Sequence, residues 1–87
     1  MSVKLTEENI KTYMEKQRFV ERLSDIFRDE DIMDIEKMEY TPVMVGDMEV
    51  AGEKVTITFR NKFAKVVDVT ADSKMAIMSD ILRRLNR

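Results

Sequence analysis

The sequence predicts an α+β fold: an N-terminal helix, a three- or four-stranded antiparallel sheet forming a meander with a hairpin at Asn61-Lys62, and a C-terminal helix, both helices lying on one sheet face. Three observations carry this expectation. Val55, Ile57 and Phe59 alternate with Thr56, Thr58 and Arg60, the period of a half-buried strand. Asn61 and Lys62 break that run, and a second β-rich run from Phe63 to Val69 follows at once, as in a hairpin. Apolar residues then recur at helical spacing at both ends of the chain.

The first helix opens at Leu5 and Thr6. With Thr6 as N-cap, Glu7 and Glu8 fall where carboxylates favour the positive end of the helix dipole, and Leu5 and Ile10 are spaced as a hydrophobic staple. Ile10, Tyr13, Met14, Val20, Leu23 and Phe27 make the stripe, Gln17 leaves a polar gap in it, and Phe19 and Ile26 widen it. The helix is expected to stop near Arg28, where an acidic block begins.

Between Met33 and Thr41 the pattern fits a strand, and a further helical turn over Asp31 to Glu36 fits nearly as well. Pro42 puts that strand at an edge or ends it, because proline cannot donate to a ladder. Gly46-Asp47 reads as a turn before a short strand at Met48 to Val50, and Gly52 as a second turn into the hairpin.

A two-residue loop of Asn61 and Lys62 would place Val55, Ile57, Phe59, Ala64 and Val66 on one face and Phe63, Lys65 and Val67 on the other. A three-residue loop would move Lys65, Val67 and Val69 to the first face. Two residues are preferred, since asparagine tolerates positive φ. The last helix is expected from about Ala71 to Asn86, started by oxygens in the Thr70 to Asp72 stretch. Ala71, Met75, Met78, Ile81, Leu82 and Leu85 should face the sheet and Lys74, Asp80, Arg83, Arg84 and Arg87 water.

The 87 residues fit a single domain over 1–87, with a modest core that association would help. Composition is that of a globular chain, 44% hydrophobic and 37% charged with a net charge of −2, which argues against disorder. There is no cysteine and no histidine. Thiolate chemistry and disulfides are thereby excluded, and the commonest general base and metal ligand are missing. No nucleophile elbow or phosphate-cradling glycine loop is present. The expectation is a chain without enzymatic activity, cofactor or metal site.

Met1 to Lys4 hold no basic-then-apolar signal segment, and no apolar run nears the ~18 residues that span a bilayer, so a cytoplasmic location is expected.

Several surfaces are candidate sites. Asp29, Glu30, Asp31, Asp34 and Glu36 form an acidic stretch that reads as a solvated loop, as oxygen ligands for a hard cation, or as a mimic of phosphates facing a basic groove. It lacks the spacing of a calcium loop. Lys54, Arg60, Lys62 and Lys65 with Phe63, and separately Arg83, Arg84 and Arg87, supply cations and an aromatic for single-stranded nucleic acid, or else guard an edge strand against aggregation. Among eight methionines, Met44 and Met48 lie near the sheet, where this adaptable side chain fills a small core or lines a partner-binding surface. Phe63, Lys65 and Val67, with Arg60 and Lys62 beside them and Val69 beyond, make the expected docking strip on the outer sheet face.

The first functional expectation is therefore a protein-interaction module, adaptor or regulatory, acting as a homodimer. A nucleic-acid-binding module built on the basic hairpin and the C-terminal arginines is the alternative. A compact α+β chain with an Asn-turned hairpin feeding a helix also resembles, in shape, the small accessory proteins of bacteria and their phages. That resemblance implies a third role, inhibition of a host factor through the acidic stretch.

Overall fold

The structure, a computed structural model, describes residues 2–86. Its elements are β1 (Val3–Lys4), α1 (Glu7–Asp29), β2 (Ile35–Met44), β3 (Glu49–Phe59), β4 (Ala64–Asp68) and α2 (Lys74–Leu85). All strands are antiparallel. β3 is the central strand: β2 runs along one side of it, while β1 and β4 share the other, β1 beside Glu49 and Val50 and β4 beside Lys54 to Thr58. Both helices cover one face, where Val20, Met38, Tyr40, Val55, Ile57, Val67, Ile77 and Ile81 form the core. This is the α+β arrangement that the sequence predicts.

Thr6 caps α1 as expected, its side chain accepting from the Asn9 N–H. The buried line of the helix is Lys16, Val20 and Ser24, flanked by Tyr13, Leu23 and Phe27, so Ile10 and Met14 lie exposed at the margin of the expected stripe. The chain leaves α1 through three non-glycine residues at positive φ, Asp31, Met33 and Asp34, and these turn it directly into β2. No further helical turn forms there. Pro42 sits in an edge strand, as its missing donor requires.

Three expectations need correction, and one strand is added. Gly52 makes no turn, because β3 continues through it; a Cβ there would meet Thr70 Oγ1 at 3.1 Å, so glycine admits the close approach of the β4–α2 connection.

The hairpin loop is three residues, Arg60 to Lys62. Phe59 N–H donates to the Phe63 carbonyl, and Lys62 takes the left-handed conformation at φ 75°. The positive φ of this loop falls on Lys62 and not on Asn61, and the Phe63 N–H donates to Asn61 Oδ1 at 3.1 Å. Val55 therefore pairs with Val67 and Ile57 with Lys65, one residue away from the register a two-residue loop gives.

α2 begins at Lys74, not Ala71, because Ser73 rather than the Thr70 to Asp72 stretch is the cap, accepting from the Ala76 N–H. Its buried line is Ile77, Ile81 and Leu85, and Met75 and Leu82 of the expected stripe point outward. Lastly, Val3 and Lys4 add the short strand β1, which sequence pattern does not reveal. Met1 and Arg87 lie outside the described residues.

Candidate functional site

The acidic and basic stretches, separate in sequence, meet at one end of the molecule. Arg60 Nη1 lies 2.8 Å from Asp31 Oδ1, and Lys62 Nζ lies 2.9 Å from Glu36 Oε1 and 3.1 Å from its Oε2. Arg28 bridges Asp25 and Asp29. The hydrogen bond and charge of Lys62 hold the Glu36 carboxyl below its ordinary range. Each pair is exposed and therefore weak, but together they occupy two of the four hairpin cations, Arg60 and Lys62, and three of the five carboxylates, Asp29, Asp31 and Glu36, that a phosphate mimic would present. Glu30 and Asp34 form no ion pair among the described residues. Phe63 stands beside this cluster, 75% exposed.

The expected apolar strip on the outer sheet face does not form. The register shift turns Val67 and Val69 into the core, and Lys65 points to the same side, its ammonium 5.8 Å from the centroid of the Phe59 ring. Thr41, Thr56 and Thr58, Lys37 beside Glu39, and Lys54 opposite Asp68 make the outer face mainly polar, with Val43, Ala64 and Val66 among its apolar members. Met44 and Met48 are exposed near the opposite end. There Met44 joins Leu5, Ile10, Met14 and Pro42 around a shallow apolar cleft of about 160 Å³.

Sequence reasoning misses a buried polar centre. Lys16 Nζ and Tyr40 Oη both donate to Glu53 Oε1, at 2.7 and 2.5 Å, and the Ala71 N–H donates to Oε2 at 2.8 Å. One carboxylate thereby ties α1, β2 and the β4–α2 connection to β3. Burial opposes its charge, and the bonds from Lys16, Tyr40 and Ala71 outweigh burial, keeping its pKa below the ordinary range. Burial, and then the bond to Glu53, raises the Tyr40 hydroxyl.

Beside this centre, Asp72 Oδ2 is buried with no hydrogen-bond donor in reach among the described residues, and its neighbour is the carboxylate of Asp80. Two acceptors bond only when one carries a proton. The Asp80 interaction first, then burial, pushes Asp72 up to about 6. The sequence did hold a signal: Glu53 shares the alternation of Val55 and Ile57, and Lys16 lies four residues before Val20.

The two edges of the sheet differ. Along β2, the main-chain groups of Lys37, Glu39 and Thr41 face β3, so those of Met38, Tyr40 and Pro42 face outward. Ser24 Oγ accepts the Met38 N–H at 2.8 Å, and Pro42 has no N–H to offer. Along β4, the bonds from Phe59 N–H to the Phe63 carbonyl and from Val69 N–H to the Glu53 carbonyl fix the phase of the ladder. Ala64, Val66 and Asp68 consequently turn their N–H and C=O groups away from β3, toward solvent. A groove of about 220 Å³ lies at the C-terminal end of this strand, lined by Val67, Asp68, Asp80, Arg83 and Arg84.

No protein-family model, curated protein or solved structure matches the chain. Among the described residues no three acidic side chains cluster as a metal site, and no helix is long and apolar enough to cross a membrane.

Proposed function

We propose that this chain is a small non-enzymatic protein-interaction module that receives an extended segment of its partner along β4. The observation that supports this reading is the contrast between the edges: β2 is capped by Ser24 and interrupted by Pro42, whereas β4 leaves three residues' main-chain groups unpaired beside a groove. Strand addition draws its affinity from such groups and its specificity from neighbouring side-chain pockets. The exposed Val66 and Phe63 add apolar area on or near the same strand.

A photo-crosslinking amino acid placed at Val66, and separately at Glu39 on the outer face of β2, tests the reading in the native cell. The expected result is a discrete adduct with another protein from position 66 and none from position 39. No adduct from position 66, or equal adducts from both, would overturn it.

A further inference from the structure

We infer that the segment received by β4 is acidic, an extended peptide carrying carboxylates at alternate positions toward α2; this rests on the strand-addition reading above. A strand laid beside β4 directs every second side chain to the face where α2 lies, and there it meets the groove of Arg83 and Arg84.

The charges around the groove can be assigned one by one. Asp68 Oδ1 accepts from the Thr70 N–H and hydroxyl at 2.9 and 2.6 Å, and Asp80 is shared between Arg83 at 3.6 Å and Asp72. Arg84 and Lys65 have no carboxylate within ion-pair distance among the described residues, and Arg83 is held only by its long contact to Asp80. Asp68 keeps its charge but is hydrogen-bonded back to Thr70, and Asp80 is already shared, while the cations keep free donors. Guanidinium groups in that state take carboxylates, with two donors matched to two oxygens.

The same charges disfavour a second copy as the occupant. Two β4 strands paired antiparallel about Val66 would bring both copies' Lys65, Arg83 and Arg84 to one seam. An inward lysine on an edge strand is a known guard against self-pairing, and it leaves acidic partners unaffected.

The test uses the full ¹⁵N-labelled chain and three acetylated seven-residue probes: alternating Glu and Val, alternating Lys and Val, and the Glu-Val peptide N-methylated on the edge meant to face β4. The Glu-Val peptide is expected to shift the amide resonances of Ala64, Val66 and Asp68 and to slow their hydrogen exchange. The Lys-Val and N-methylated peptides should do neither. The Arg83→Ala/Arg84→Ala double variant should weaken Glu-Val binding about tenfold, Arg83→Lys/Arg84→Lys less, and added salt should weaken it further.

Equal binding of the Glu-Val and Lys-Val peptides would overturn the acidic assignment and leave strand addition standing. Equal binding of the N-methylated peptide, or no response at β4 to any probe, would overturn both. A concentration-dependent dimer in sedimentation, with the same three amides protected, would make the occupant a second copy and overturn the acidic assignment.

Discussion

The sheet has two edges built by different means. β2 carries proline at an outward-facing position and lies under α1, whose Ser24 satisfies the Met38 amide. β4 is short, flanked by α2 rather than covered by it, and its three outward residues have no partner strand among the described residues. Exposed edges invite association, so a chain that protects one and leaves the other open has a direction built into it. The helices pack accordingly: α1, 23 residues long, runs along β2, whereas α2, with 12, touches β4 only slightly.

The largest test of this contrast acts on the residue that holds the chain leaving β4. Glu53→Ala strips the partner from the buried Lys16 and Tyr40 and releases Ala71. It should lower unfolding stability by about 3–5 kcal/mol, read by urea denaturation, because an unpaired charge would be left inside. A loss below about 1 kcal/mol would mean that the carboxylate does not brace the fold.

On the guarded side, Ser24→Ala should cost about 1–3 kcal/mol, since it leaves the buried Met38 N–H without an acceptor. Hydrogen exchange at Met38 should accelerate relative to its neighbours on β2; unchanged exchange would mean that Ser24 is not the cap.

Asp72→Asn should act in the opposite direction and raise stability at neutral pH by on the order of 1–2 kcal/mol, because an amide can donate to Asp80 where an ionised carboxylate cannot. Asp72 is held at about 6, above its ordinary 3.8, so the folded state binds its proton more tightly than the unfolded state does. That contribution is complete below about 3.8 and disappears as pH rises through about 6. Glu53, shifted downward, contributes above its ordinary value and loses its contribution as pH falls through its lower folded-state pKa. The melting temperature of the parent chain should therefore climb as pH falls from about 7.5 to about 5.5, and that climb should be smaller in the variant. The same slope in both would remove Asp72 as its source.

The smallest effect belongs to the charged end of the hairpin. Lys62→Ala breaks an exposed pair with Glu36 and should leave the midpoint of thermal unfolding nearly unchanged. A larger loss would show the pair to be structural, through the left-handed turn that Lys62 also occupies.

Much of the fold was legible in the residues. Thr6 and its acidic first turn, the Val55 to Phe59 alternation and Pro42 each fall where local chemistry puts them. The candidate site was less so. Phe63, Arg60 and Lys62 are exposed as expected, yet both cations are paired across the chain, Val67 is core, and the groove arginines enter only through α2. Ser73 displaced Thr70 to Asp72 as a cap because Thr70 is taken up by Asp68 and Glu53.

Alternation, capping and turn residues dictate the order and kind of elements, because those preferences act within a few neighbouring positions. Register, helix rotation and pairing depend on contacts between distant positions. One residue more in the Arg60 to Lys62 loop turned Lys65 and Val67 inward, and a rotation of α2 exchanged Met75 for Ile77. The meeting of Lys16 with Glu53, of Arg60 with Asp31, and the open edge of β4 exist only once the layers have packed, since nothing local distinguishes the two sides of an isolated strand.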